Sequence, residues 1–194
     1  TELSGVSGAC VDSFGNFYYS GNSDNRIYRF GTNRVLEVFA GSGNAGRVDG
    51  NGIFSSFDSH GVLACDAADN IYVWDAGQAV RRINQNRDVV TIAGFHAGVG
   101  DIDGSGKDAA FNSVSGMCAD NLGNLYFACG SSVRKMGATT NVVTLAGSFS
   151  VTGYTNGAGN VARFNGASGI CVAQGSVFVA EINNHRIRQI SFNP

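Results

Sequence analysis

The chain has 194 residues with 13 basic and 15 acidic side chains, a net charge of −2, and only 14% of its residues are charged, against about 25% in an average domain. A hydrophobic content of 43% with 13 Phe excludes a disordered chain. The balanced charge argues against a nucleic-acid binder, and no apolar run approaches the ~20 residues of a membrane-spanning helix. Eleven of the 13 bases are Arg and 12 of the 15 acids are Asp. Lys and Glu, the usual fillers of exposed helices, are nearly missing. The 28 Gly, with Asn, Asp and Ser, lie between apolar runs, which is the composition of short strands and tight turns.

The first run, 5–12, reads as a strand. It turns through Asp12-Ser13-Phe14-Gly15-Asn16, where Gly and Asn are available for positive φ, into a second strand over 16–20. A third strand follows over 26–30 and, after Gly31-Thr32-Asn33, a fourth over 34–40. A Gly-rich link from Gly41 to His60 leads to the next set. The second strand begins at Asn16, Asn70, Asn124 and Ser176, at spacings of 54, 54 and 52. The pairs Ala40-Gly41, Ala93-Gly94 and Ala146-Gly147 are 53 and 53 apart, and Phe57, Phe111 and Phe164 are 54 and 53 apart. Three independent anchors with one period define four repeats, at approximately 5–58, 59–112, 113–165 and 166–194, within a single domain spanning 1–194. Second strands such as Ile71-Tyr72-Val73-Trp74 are apolar throughout, as strands covered on both faces are. A four-stranded unit that recurs about every 50 residues and needs neighbours to cover it is a propeller blade. The fold expected is therefore all-β: a β-propeller of three complete blades plus a partial fourth. The fourth repeat has strands near 168–173, 176–181 and 185–191 and no fourth strand before Pro194. Thr1-Glu2-Leu3-Ser4 is too short to supply one, so an open strand edge is expected there.

The run Asn184-His185-Arg186-Ile187-Arg188-Gln189-Ile190 resembles the signature of the NHL repeat, a propeller blade named for Asn-His-Leu. Val90-Thr91-Ile92-Ala93-Gly94 and Val143-Thr144-Leu145-Ala146-Gly147 resemble its fourth strand. Asp49-Gly50-Asn51-Gly52 to Phe57, Asp103-Gly104-Ser105-Gly106 to Phe111, and Asn156-Gly157-Ala158-Gly159 to Phe164 resemble its inter-blade link. Repeats 2 and 3 depart from the signature, with Gln78-Ala79-Val80-Arg81 and Ser131-Ser132-Val133-Arg134, and the links are longer than is usual in the family. The resemblance implies a platform for protein, RNA or other ligands, with a minority of members enzymatic.

The candidate sites each have a plainer alternative. Cys10, Cys118 and Cys171 hold nearly equivalent first-strand positions, with Cys65 one step out of phase and Cys129 at the end of a second strand. The first three are expected to be reduced core residues, since equivalent positions in successive blades lie too far apart for a disulfide. No CxxC or CxxH pair suggests zinc. Asp101, Asp103 and Ser105 have the alternating oxygens of a calcium loop, but Asn112 stands where an EF-hand needs Glu, and the equivalent links lack the first Asp. Asp12, Asp66 and Asp120 end first strands, either lining one mouth of the propeller or accepting bonds from their own turns. Arg81, Arg134 and Arg188 recur in third strands, with Tyr28 at the matching place. They form either a basic stripe or stems packed on the blade and paired with a link Asp or carbonyl. His60, His96 and His185 sit at different phases of the repeat, and Gly-x-Ser-x-Gly and paired-carboxylate signatures are missing, so no catalytic set and no cofactor are expected.

The function expected is non-catalytic recognition or assembly, with copies of the same chain as the partner. Low Lys, scarce charge and richness in Gly and Asn place it outside the cell. The chain opens on Thr1 rather than Met, as a processed or excised chain does, so the missing signal peptide says nothing about secretion. Two alternatives stay open: a ligand- or RNA-binding platform cut from a larger protein, and a fragment of a propeller lyase or hydrolase.

Overall fold

A computed structural model describes residues 5–21, 24–75, 78–94 and 100–192. Four antiparallel sheets follow one another along the chain. The first is β1 (Val6–Val11), β2 (Phe17–Gly21), β3 (Arg26–Phe30) and β4 (Leu36–Ala40), in that spatial order. The second is β5 (Gly50–Asn51), β6 (His60–Cys65), β7 (Ile71–Asp75), β8 (Ala79–Ile83) and β9 (Asp88–Gly94). The third is β10 (Gly104–Ser105), β11 (Gly116–Ala119), β12 (Leu125–Cys129), β13 (Ser132–Met136) and β14 (Asn141–Gly147). The fourth is β15 (Ala167–Ala173), β16 (Ser176–Glu181) and β17 (Arg186–Ser191). Each sheet is a four-stranded meander, less its last strand in the fourth, as the repeat period predicts. In sheets 2 and 3 the preceding link adds a two-residue strand, β5 against β9 and β10 against β14.

The described residues group into two compact units, Thr1–Ile92 and Ala93–Pro194. The first holds blades 1 and 2, the second blades 3 and 4. In the first unit Tyr18, Ile27, Phe39 and Ala40 of blade 1 meet Leu63, Ile71, Val73, Ile83 and Val89 of blade 2, with Phe57 of the link among them. In the second unit Tyr126, Ala128, Val133 and Ala146 of blade 3 meet Val177 and Val179 of blade 4, around Phe164. The β7 and β12 side chains are buried on both faces, which is why those strands read as unbroken apolar runs.

Hairpin turns sit where Gly, Asn or Asp takes positive φ: Gly15, Asp69 and Gly123 in the first turns, each closed by a carbonyl of the Asp three residues earlier. The recurring Ala-Gly pair has a steric cause. Gly41, Gly94 and Gly147 all have φ between 90° and 98°, a region L side chains disfavour. A Cβ on Gly147 would also lie 2.5 Å from the carbonyl oxygen of Ser131. In each unit one further glycine brings two blades into backbone contact. A Cβ on Gly8 would lie 2.6 Å from the Gly61 carbonyl oxygen and 2.8 Å from the Leu63 nitrogen. One on Gly116 would lie 2.0 Å from the Ser168 carbonyl oxygen.

Candidate functional site

The Asp residues at the ends of β1, β6 and β11 are committed to their own turns. In blade 1 one carboxylate oxygen of Asp12 accepts from the backbone N–H of Phe14 and Asn16 (3.0 and 2.8 Å). The other accepts from the Asn16 amide (2.7 Å) and the Tyr18 hydroxyl (3.0 Å). Asp66 is held in the same way by Ala68, Asn70 and Tyr72, and Asp120 by Leu122, Asn124 and Tyr126. The spacing Asp-x-x-x-Asn-x-Tyr is thus a turn clamp, with both oxygens of each carboxylate occupied. Burial works against ionisation of Asp12 and Asp120, but the bonds donated to them outweigh it and hold both carboxyls below the ordinary aspartate range. A depressed folded-state value contributes stability that is present at neutral pH and lost as pH falls through that value. Asp12→Asn and Asp120→Asn variants are therefore expected to start less stable at pH 7 and to lose less than the parent chain on acidification to pH 3. Urea midpoints at the two pH values check this, and equal losses would defeat it.

The three arginines do not form a solvent-facing stripe. Arg81 and Arg134 are 0% exposed, and Arg188 is half-buried at 11%. Arg81 donates from Nη1 to Asp75 (3.0 Å) and the Ser56 carbonyl (3.1 Å), and from Nη2 to Asp49 (2.9 Å) and the Val48 carbonyl (3.0 Å). Its guanidinium lies 5.1 Å from the Phe57 ring centroid. Arg134 pairs with Asp103 (3.0 Å) and the Ile102 carbonyl (2.7 Å), with Asp101 at 3.7 Å and the Phe111 ring at 4.5 Å. Arg188 pairs with Glu181 (3.0 Å) and Asn156 (2.7 Å) over the Phe164 ring at 5.0 Å. Each cluster joins a third strand, the end of a second strand or the link, and the link's Asp-Gly or Asn-Gly into one cassette around its arginine. Asp49 also accepts from Thr91, and Asp103 from Thr144, which ties the link to the fourth strand. The carboxylates read as a candidate calcium loop thus face a guanidinium: Asp101 and Asp103 hold Arg134, and Ser105 lies in β10. Among the described residues no three His, Cys, Asp or Glu converge as metal ligands. His96 lies outside the described residues. His185 takes φ 52° in the β16–β17 turn, and its neighbour Asn184 donates to Glu181 and to the Gly153 carbonyl, so the Asn-His signature builds the turn that positions the Arg188 cluster.

The cysteine expectation needs one correction. All five thiols are free, but Cys171 is exposed, whereas Cys10 and Cys118 are half-buried. Cys171 faces away from blade 3 while its neighbours Ile170 and Val172 pack inward. That outward face of blade 4 is the open surface of the second unit. Ile187 is 70% exposed, yet Ile27, Val80 and Val133, which hold the same register in the other three blades, are 0% exposed. Blade 1 has an open face of the opposite sense. Val11 and Phe30 are 56% and 42% exposed, where blade 2 buries Cys65 in part and Ile83 fully at the same register. Beside the open face of blade 4, a groove of about 700 Å³ runs between Asn156–Gly159 and the length of β17. Blades 2 and 3 hold their fourth strand in that place, between the third strand and the link. An uncovered apolar blade face is what the repeats lead one to expect, and register names its residues: Ile187 and Val11 are exposed where the other blades bury their counterparts wholly or in part.

These sheets, links and turn clamps define β-propeller blades, and the run Asn184–Ile190 resembles the NHL signature. No family model matches the chain. It is 28% identical over 118 residues to NHL repeat-containing protein 2 of Homo sapiens, a match covering 58% of this chain and 16% of that protein. Among solved structures it resembles a Bacteroides thetaiotaomicron VPI-5482 structural genomics protein of unknown function (TM-score 0.77, 22% identity, 96% of this chain and 47% of that one). It also resembles an auxiliary nutrient binding protein of Bacteroides ovatus ATCC 8483 (TM-score 0.75, 18% identity, 96% and 48%). A more distant likeness is to a catalytically inactive virginiamycin B lyase of Staphylococcus aureus (TM-score 0.53, 11% identity, 97% and 67%). At these identities the structural likenesses show the fold. The chain spans about half the length of the first two structures.

Proposed function

We propose that the chain is a non-catalytic recognition and assembly module whose partner is a second copy of itself, joined head to tail. The open face of blade 4 in one copy, with Cys171, Phe178, Ala180 and Ile187, seats against the open face of blade 1 in the next, with Val11, Phe17 and Phe30. The observation that carries this reading is the exposure of Ile187, whose counterparts in the other three blades are fully buried. The two faces carry the same register positions that pack against each other inside each unit. The unpaired edge of β17 adds backbone groups that an extended segment of the neighbour can satisfy. A low net charge offers little repulsion. A heterologous contact of this kind closes into a ring or grows into a filament according to its rotation. Scarce Lys and charge support a role outside the cell as a structural protein, which comparing culture medium with cell lysate would check.

Light scattering after gel filtration tests the proposal. The expected result is a species larger than the monomer, with its mass rising with concentration. Ile187→Asp in blade 4 and Val11→Asp in blade 1 are each expected to return a folded monomer, and an equimolar mixture of the two variants should form dimers, because each keeps one intact face. A parent chain that is monodisperse as a monomer, with its fold intact by circular dichroism, would defeat self-association and favour a platform for a different ligand.

A further inference from the structure

The junction between blades 1 and 2 contains a thiol pair that the repeat pattern concealed. Cys10 stands opposite Tyr18, on the face of blade 1 turned toward blade 2. Cys65 stands opposite Ile71, on the face of blade 2 turned toward blade 1. One residue out of phase with Cys10 in sequence, Cys65 therefore points back at it rather than along the same direction. Both thiols pack on the same core of Tyr18, Ile71 and their neighbours, with Cys65 a near neighbour of the Cys10 thiol. The strands carrying them touch through backbone: Gly8 lies against Gly61, Val62 and Leu63, and the Ser20 hydroxyl donates to the carbonyls of both Gly8 and Gly61. In the second unit the matching partner of Cys118 is Val172, and Cys171 faces outward. Two facing thiols thus occur at one junction of the two.

We propose that Cys10 and Cys65 form a reversible inter-blade disulfide that staples β1 to β6 under oxidising conditions. With glutathione disulfide as the oxidant, the Cys65 thiolate attacks one of its sulfurs and releases a glutathione thiolate. Cys10 then loses its proton and attacks the Cys65 sulfur of the mixed disulfide, releasing the second glutathione. The protein loses two electrons and two protons, and one glutathione disulfide becomes two glutathione thiols. The neighbouring Cys65 side chain and burial push the Cys10 thiol upward from its ordinary value, which makes it the resolving thiol and the exchange slow at neutral pH. Cross-linking two strands already in contact removes freedom from the unfolded chain across the 10–65 loop.

The test incubates the native chain with glutathione disulfide, blocks the remaining thiols with iodoacetamide and digests it with trypsin. Cys10 and Cys65 fall on different tryptic peptides, 1–26 and 48–81, and Cys118 and Cys129 share a third, 108–134. The expected result is a peptide pair joining 1–26 to 48–81, two hydrogen atoms lighter than its parts, with Cys118 and Cys129 alkylated. The unfolding midpoint should rise by roughly 5–10 °C on oxidation, and dithiothreitol should reverse the rise. Cys10→Ser and Cys65→Ser should each remove the oxidant-dependent rise while keeping the reduced chain's midpoint within a few degrees. Glutathione held stably on either thiol, a cross-link to any other cysteine, or oxidation without a change in midpoint would overturn the proposal. If Cys10→Ser fails to fold, Cys10→Ala or the peptide map of the parent chain decides the matter alone.

Discussion

Arg81→Ala is expected to lower the free energy of unfolding by about 3–5 kcal/mol, the cost of removing one partner of a buried ion pair. The arginine ties five groups together: Asp75, Asp49, two link carbonyls and the Phe57 ring. Asp75 is itself fully buried. Its other oxygen accepts from the backbone N–H of Asp58 and Ser59, so loss of the guanidinium leaves a charge stranded in the core. A double variant, Arg81→Met with Asp75→Asn, removes both charges and should recover part of the loss. Chemical denaturation of the three proteins checks the order: parent most stable, double variant intermediate, Arg81→Ala least. If Arg81→Ala costs no more than about 1 kcal/mol, the range of an exposed pair, the cluster does not hold the cassette together.

Gly116→Ala is expected to cost about 3 kcal/mol, at the upper end of the usual overpacking range. A new Cβ at that position would meet the Ser168 carbonyl oxygen at 2.0 Å, and that oxygen belongs to backbone that cannot rotate away. β11 and β15 would have to part, opening the core between blades 3 and 4 around Phe164 and Val179. The control is Gly123→Ala, in a turn with nothing within 4 Å of the added atom but φ of 79°. Only conformational strain acts there, at roughly 1 kcal/mol. Equal losses for the two would show that close approach of the blades is not what Gly116 provides.

Much of the fold was legible because the features that recur are the ones with steric or hydrogen-bonding causes. The 53-residue spacing of Ala-Gly marks a positive-φ position at the end of the fourth strand in blades 1 to 3. The Asp-x-x-x-Asn-x-Tyr spacing marks a clamp that closes the first hairpin of blades 1, 2 and 3. The unbroken apolar run at Ile71–Trp74 marks a strand buried on both faces. The arginines were harder to place, because an Arg that recurs on a strand looks the same in sequence whether it faces water or a link carboxylate. The decisive partner, Asp49 or Asp103, lies about 31–32 residues earlier in the chain. Cys65 reads as one step out of phase when register is compared along the repeats and not across a junction. Two strands that face each other bring opposite phases together, so the odd position is the one that meets Cys10. Gly8 and Gly116, each two residues before a first-strand Cys, were visible in the sequence, but a close approach between blades leaves no periodic signal of its own.

The links carry a further consequence for how such a chain can be cut and recombined. Blade 2 is completed by Val48, Asp49 and Gly50, which precede its first strand by ten residues or more, and blade 3 by Ile102, Asp103 and Gly104. A segment excised at the apparent repeat boundary, 59–112, therefore carries Arg81 and Asp75 into its core while leaving behind Asp49 and the Val48 and Ser56 carbonyls that complete its bonding. A segment from 48 to 94 keeps them together. For gene duplication, the heritable cassette that leaves no buried cation orphaned is offset upstream of the repeat read from the strands. Blade 1 fits the same logic in reverse: at the position of those arginines it has Tyr28, stacked on Tyr19, a residue that needs no carboxylate donated from an earlier link.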